Sequence, residues 1–548
     1  MLRSQGPGEM AGGPPVLAAA PLNIDDPSFP SLAAAHCLNL QSTVSPRASA
    51  RRHRVRDIYV NNPELQRIYQ LGLVPFGQLH FLGWLTTHGR KDQQLTDADI
   101  MEFLRESAAD EAGGICLTYL LQPEWQRHFP FALAATGWGE FRAWISATYG
   151  QSLRRPLPAE VPTVLSKEAA TELTRLSEIG TERKTVPGVN VMSHFCNPSG
   201  IQQAAFWTKT ALERAGLATS CRDVPVPRRE TPDDRERWLG LEVFPVTILT
   251  HAANPYFLDA YERSGLFRRP EVYRIAYWAW ELETIPDEWV KAAELVDEIW
   301  TPTEFVANAM RTRLPKPVYR MLPGVEVGPV EKIPRASLGV PEDHFVFLFM
   351  FDLHSQLHRK NPEGVVRAFQ MAFRQNDAAT LVIKTTGGDI HTADLARLRE
   401  IARGPNVLLL EEMMPRAKAY GLIAMADCFV SLHRSEGFGL GMSEAMLLGK
   451  PVIATAYSGN LDFMNHDNSY LVDYERTEIL EDRPIYTRGN FWAEPSVEQA
   501  ARYMREIYDQ PDKAHDRAAR AEPVIAELLS LDAAGRRMRE RLDQVAAS

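Results

Sequence analysis

The sequence predicts an α/β protein in which two consecutive doubly wound domains follow a smaller, mainly helical region. Three observations carry this. The 548 residues exceed what one hydrophobic core organises, since domains usually run about 100–200 residues. From about residue 186, short apolar runs alternate with amphipathic stretches, the texture of βαβ units and parallel sheets. That alternation breaks once, at Leu322-Pro323-Gly324-Val325-Glu326, and then restarts.

Residues 1–50, rich in Pro, Gly, Ala and Ser, read as a disordered tail. The basic run Arg47, Arg51, Arg52, Arg54 and Arg56 reads as a solvated linker, with contact to an anionic membrane surface as the other reading. Residues 51–155 form a helical accessory domain. Thr96-Asp97-Ala98-Asp99 predicts a capped helix start before IMEFLRESA. Trp125, Phe129, Phe131, Trp138, Phe141, Trp144 and Tyr149 are spaced to fill the core of that domain. Residues 156–185 read as a linker.

The first α/β domain is expected at 186–328. Its strands are VNVMSHF, VTILTH, YRIAYWAW and DEIWTPT, and its first helix is IQQAAFWTKTALERAG. The second is expected at 329–510. Its strands are HFVFLFMFD, TLVIKTT, NVLLLEE, CFVSLH and PVIAT, with helices at Pro362–Phe373, near Ala417–Met425 and near Ser443–Leu448. Helices over 511–548 are expected to pack on the outside. No internal repeat stands out. Ligands of such sheets sit at the carboxyl ends of the strands, so a cleft between the two domains is expected.

Composition narrows the function. A net charge of −10 gives no support for nucleic-acid binding. The five cysteines, Cys37, Cys116, Cys196, Cys221 and Cys428, form no CxxC pair and no Cys/His cluster, which points to a reducing compartment and to no metal site. The apolar stretch near the N-terminus is broken by Pro and Gly and makes a poor signal peptide. No run of about 18 apolar residues occurs, so no membrane span is expected. The expectation is a cytoplasmic protein.

The chemistry concentrates at Ser431-Leu-His-Arg-Ser-Glu436-Gly437-Phe438-Gly439-Leu440-Gly-Met-Ser-Glu444. A buried strand runs into a glycine-rich turn and then a helix. Glycines allow close backbone approach to a ligand, and unpaired N–H groups at a helix start favour anions. Glu436 and Glu444 would repel phosphate and therefore suit sugar or ribose hydroxyls. A tight turn with surface carboxylates is the bland reading of the same residues. A second element, Asp352-Leu-His354-Ser355-Gln-Leu-His-Arg359-Lys360-Asn361-Pro362, follows a strand, where a basic pair could neutralise a leaving diphosphate. A third is Asn197-Pro198-Ser199-Gly200, by itself an ordinary turn.

HRSEGFGLGMSEAMLLGKPVIATAYSGNLDFM resembles the glutamate-x7-glutamate motif of retaining GT-B glycosyltransferases of the family 4 (glycosyl transferases group 1) type, and the resemblance spans about 186–510. It implies a GT-B fold, two Rossmann-like domains facing a cleft. It also implies a role for Glu436 beside the donor sugar and for Glu444 on the nucleotide ribose. Phe438, Gly439 and Leu440 would lie near the sugar and diphosphate, Lys360 and then Arg359 on the donor phosphates, and Gly200 across the cleft. The family's commonest spacing puts an arginine where this chain has His354, which leaves the Arg359 role open. By order along the chain His251 matches a family histidine near the acceptor; Glu281, in YWAWELETIPDEW, is the rival. Trp278 and Trp280 fit either an acceptor cleft or the core. Tyr486–Pro495 looks like a region found in this subgroup.

The implied activity is retaining transfer of a hexose from a nucleoside diphosphate sugar to a hydroxyl acceptor, in polysaccharide or glycolipid synthesis. GDP-mannose and UDP-glucose are both open as donor, and a saccharide or lipid-linked saccharide as acceptor, with a peripheral position at the inner membrane face left open. No DxD-type motif stands where a metal would be needed, so no metal or other cofactor is expected. A sugar-nucleotide epimerase of the same architecture and a non-catalytic sugar-nucleotide-binding scaffold are the alternatives.

Overall fold

The computed structural model describes residues 54–162 apart from 61, 123–124, 126–127 and 130; residues 171 and 175; 187–224 apart from 198; 238, 240, 242, 244–250, 257–258, 261 and 266; and 272–547 apart from 484. The chain forms two compact units. One joins the chain through Ala205 to Leu217–Arg274, and the other joins Phe206–Gly216 to the chain from Ile275 onward. The expected tail, most of the expected linker and His251 lie outside the described residues.

The helical region belongs to the first unit. Helix Asp97–Ala109 starts on the predicted capping box: the Thr96 hydroxyl accepts from the Asp99 N–H, and the Asp99 carboxylate accepts from the Thr96 N–H at 2.7 Å. These bonds satisfy two donors that the first helical turn leaves orphaned. Trp125, Trp138, Phe141 and Tyr149 are buried in one apolar cluster, with Phe129, Phe131 and Trp144 packed on it.

That region is a duplication, a correction to the expectation of no internal repeat. The stretch from Tyr59 recurs sixty residues later from Tyr119. Tyr59 Oη donates to the Tyr69 carbonyl at 2.6 Å, and Tyr119 Oη to the Phe129 carbonyl at 2.8 Å. The Gly77 N–H donates to Val74 O, and the Gly137 N–H to Ala134 O. A Cβ on Gly77 would stand 2.0 Å from the Leu71 carbonyl oxygen, and one on Gly137 2.2 Å from that of Phe131. NPELQRIYQLGLVPFG and QPEWQRHFPFALAATG share six of sixteen residues, among them a Pro-Glu pair, a Gln-Arg pair and the final glycine. Backbone bonds and a glycine at the same corner preserve the turn where side chains have drifted.

The strands are β1 Gly188–Ser193, β2 Ala218–Asp223, β3 Val246–Thr250, β4 Tyr273–Tyr277, β5 Glu298–Thr301 and β6 Val318–Arg320, in a sheet ordered β2-β1-β3-β4-β5-β6. A second sheet holds β7 Phe345–Asp352, β8 Ala379–Thr386, β9 Val407–Glu411, β10 Cys428–Ser431, β11 Val452–Thr455 and β12 Tyr470–Val472, ordered β12-β11-β10-β7-β8-β9. Two parallel six-stranded sheets with helices give the α/β, GT-B-type architecture expected from the sequence. Phe347, Phe349, Leu381, Ile383 and Val430 bury one face of the second sheet, together with Val365 and Phe369 of helix Pro362–Ala372 and Met504 of helix Val497–Asp509. β2 escaped the sequence reading because ATSCRD, although buried, carries no apolar pattern. So did the antiparallel hairpin β13 Tyr474–Glu478 and β14 Phe491–Pro495, whose first strand is exposed.

In the second sheet, β7 is the first strand in sequence, and its neighbours are β8 and β10. The chain winds away from β7 in both directions, so the loops after β7 and β10 part there and leave a crevice at the carboxyl ends of the strands. The C-terminal helices are Pro511–Leu529 and Leu531–Ala547. The last one returns to the first sheet, where Arg541 bonds the fully buried Glu298 of β5 at 2.5 Å. Among the described residues no helix is long and apolar enough to cross a membrane. Nor is any group of three or more His, Cys, Asp and Glu side chains gathered there that could hold a metal ion.

Candidate active site

The two loops at the β7/β10 crevice carry the residues that the sequence singled out. After β7, a single helical turn, Leu357–Lys360, ends at Asn361, whose φ of 54° places it in the left-handed region. Asparagine tolerates that conformation, and its side chain then caps the next helix by accepting from the Gly364 N–H at 3.1 Å. Pro362 follows at the first helical position, where its missing N–H costs nothing. The Asn361 amide also donates to the Leu432 carbonyl at 3.0 Å, fastening this turn to the loop after β10.

That fastening brings Lys360 and Arg359 onto Glu436. Lys360 Nζ makes a very short contact with Glu436 Oε1, and Arg359 Nη1 lies 3.2 Å from Oε2. Burial alone would push the Glu436 carboxyl up, but Lys360, Arg359 and His433 overcome it and hold the group at about 2. Burial pulls the Lys360 ammonium down against the attraction of Glu436. With two cations within reach of one carboxylate, the pair is charged on both sides. The Glu436 N–H donates to Ser458 Oγ at 2.8 Å, and Ser458 itself has a φ of 74°. His433 is fully buried between Ser431 Oγ, the Tyr457 carbonyl and Asn460 Oδ1, and burial lowers its basicity.

The glycines of the turn are required by contact. A Cβ on Gly437 would stand 2.9 Å from the Trp280 carbonyl oxygen. Gly439 has φ 104° and serves as N-cap of helix Leu440–Leu447 with no side-chain cap. The helix therefore starts three residues before the expected Ser443, with first-turn N–H groups that no side chain takes up. Phe438 is buried against the Phe463 ring at 5.1 Å. Deeper in the helix, Glu444 is 4% exposed, with Arg416 Nη1 at 3.5 Å and Tyr420 Oη at 3.5 Å. Burial raises the Glu444 carboxyl, and it raises the Tyr420 phenol to about 12.

Glu436, Lys360 and Arg359 thus meet in one place, and Phe438, Gly439, Leu440 and Glu444 continue from it along one turn and helix. Gly200, exposed at the start of helix Gly200–Arg214, belongs to the other compact unit. Trp278 and Trp280 are buried against Trp289, with ring centroids 5.5 and 4.9 Å away, so they are core residues. His354 bonds Asp352 through Nδ1 at 2.7 Å. Arg416, Tyr420, His433 and Ser458 were missed in the sequence. His433 and Ser458 lay inside the quoted motif, but nothing in their spacing says what they bond.

Residues 331–523 match the family described as Glycosyl transferases group 1. The matched stretch is under half of the chain, and it holds both loops of the site. Three solved structures are similar at low identity. Anabaena HepE in complex with UDP and glucose is 13% identical over 65% of this chain and 100% of that one, with a TM-score of 0.49. Sucrose-phosphate synthase from Thermosynechococcus elongatus is 16% identical over 66% and 100%, at 0.49. A glycosyltransferase from Rickettsia africae ESF-5 is 12% identical over 66% and 99%, at 0.49. No curated protein matches the chain.

Proposed function

We propose that the chain is a retaining, metal-independent glycosyltransferase that moves a hexose from a nucleoside diphosphate sugar to a hydroxyl of a saccharide or lipid-linked saccharide. The observation that carries this reading is the Glu436–Lys360–Arg359 cluster at the β7/β10 crevice, inside the group 1 segment. Glu436, held at about 2, cannot donate a proton near neutral pH. Its role is that of an anion that accepts from donor-sugar hydroxyls and offsets positive charge at the anomeric carbon. Lys360 is the cation with an open side, and it draws the leaving diphosphate. The N–H groups of Leu440 and Gly441 add to that site. Glu444 suits the ribose hydroxyls. The anomeric C–O bond to phosphate breaks, the acceptor oxygen bonds the same face, and the diphosphate oxygen takes the acceptor proton. Gly200 is proposed as a further donor-binding residue and His251 as a further catalytic residue.

The test is calorimetric binding of UDP-glucose and GDP-mannose, followed by turnover with a saccharide panel in EDTA. Glu444→Ala is expected to weaken nucleotide binding about ten- to a hundredfold, the range for hydrogen bonds to a charged group. Product with inverted anomeric configuration, or unchanged affinity in Glu444→Ala, refutes the assignment. A donor epimerised without any acceptor supports the epimerase instead.

A further inference from the structure

Arg359 is 3% exposed and its guanidinium is fully engaged by protein. Nε donates to the Ser355 carbonyl at 3.2 Å and Nη1 to the Ser435 carbonyl at 2.7 Å. Nη1 meets Glu436 at 3.2 Å, and Nη2 lies 3.7 Å from Glu281 Oε1. Burial would make such a cation easier to deprotonate, but the carboxylates of Glu436 and Glu281 oppose it. Glu281 is in turn held at both ends. Its carboxylate accepts from Tyr486 Oη at 3.2 Å, and its carbonyl accepts a very short bond from Ser435 Oγ. Tyr486 is 1% exposed beside the Trp280 ring at 5.7 Å, and burial keeps its phenol protonated as a donor.

Tyr486 sits in the connection between β13 and β14. That hairpin is fastened on both sides of the site. Arg434 Nε bonds Glu494 of β14 at 2.6 Å, and the Ala493 N–H donates to the Arg434 carbonyl at 2.9 Å. On the other side, Arg476 of β13 bonds Glu283 at 2.7 Å, and Tyr457 Oη reaches the same carboxylate at 2.9 Å. A purely structural insert needs no buried phenol aimed at a carboxylate that faces the arginine of the site.

We propose that Glu281 and Tyr486 are positioning residues for Glu436, acting through Arg359, so that the β13–β14 insert sets the geometry of the catalytic carboxylate. The inference rests on the transferase reading above. Charge explains the arrangement. Arg359 and Lys360 bring two positive charges, and Glu436 brings one negative. Glu281 supplies the second negative and holds Arg359 in place. Arg359 is then committed to protein carboxylates, and Lys360 is the cation that an incoming diphosphate can draw away from Glu436.

The full chain is compared with Tyr486→Phe, Glu281→Gln and the double variant. UDP and GDP release from UDP-glucose and GDP-mannose is measured alongside amide hydrogen exchange. Tyr486→Phe is expected to lower kcat about tenfold with donor KM within about twofold, and to speed exchange across 355–361 and 432–440 while leaving 97–109 unchanged. The double variant is expected to be no slower than Glu281→Gln alone, because the two groups act in series. Wild-type kcat and wild-type exchange in Tyr486→Phe, or additive losses in the double variant, overturn the proposal. A wild-type chain that releases neither nucleotide sinks the transferase reading instead. The exchange measurement then decides this proposal by itself.

Discussion

Glu436 sits in a setting where two effects of several kcal/mol oppose each other. Burial disfavours its charge, and two cations restore it. The cations win, which makes the residue an anion at every working pH and excludes it as a proton donor. Removing one of them tests the balance. Arg359→Gln leaves burial opposed by Lys360 and the weaker His433 interaction, so the Glu436 pKa rises. The acid limb of kcat/KM is expected to move up by about 1–3 units, because activity needs the ionised carboxylate and protonation then begins at a higher pH. A pH profile of the variant between 3 and 8 checks this; an unmoved acid limb means that Arg359 does not control Glu436. The Lys360 and Glu436 side chains could be named from the motif. Their contact could not, since 76 residues separate them in sequence.

Local rules of chain geometry were the most legible part of the molecule. Thr96 and Asp99 cap their helix as their spacing requires, and Gly439 turns the chain where a side chain would be strained. The duplicated turn was open to reading, since six of its sixteen residues recur sixty positions later, but the backbone bonds that close it were not. It makes a sharp prediction. Gly77→Ala and Gly137→Ala each force a Cβ onto a carbonyl oxygen, at 2.0 and 2.2 Å, and should each cost about 1–3 kcal/mol or more. Gly83→Ala and Gly139→Ala, in the helices that follow the two turns, meet nothing within 4 Å and should stabilise those helices by up to about 1 kcal/mol. Denaturant unfolding of the four variants checks the pattern. A tolerated Gly137→Ala beside a damaging Gly77→Ala would show that the two turns are not equivalent.

At the scale of the whole molecule, the C-terminal helix was expected to pack outside, and it does so with a purpose. Met538 and Leu542 are buried, and a Cβ on Gly535 would stand 2.2 Å from the Ala211 carbonyl oxygen. Glu298 accepts from Arg541 and from Trp300 Nε1 at 2.7 Å, with Arg541 lying over the Tyr319 ring. Glu298→Gln leaves Arg541 partly buried without its carboxylate. It should destabilise the chain by about 3–5 kcal/mol, seen as a lower denaturant midpoint. A midpoint within about 1 kcal/mol of wild type would mean that the last helix is held by its apolar face alone.

By itself the sequence determined the class of the fold, the positions of most strands along the chain and the residues of the glycine-rich turn. These follow from periodicity, glycine and proline chemistry and the motif, all of which act over a few residues. Tertiary structure decided which of those residues meet. It joined Lys360 and Arg359 to Glu436, assigned Trp278 and Trp280 to the core, and ran a buried chain of bonds from Tyr486 through Glu281 to the site. Those outcomes depend on burial and on charge balance between distant segments. A buried carboxylate takes its properties from the cations that the fold brings to it, and sequence spacing carries no record of them.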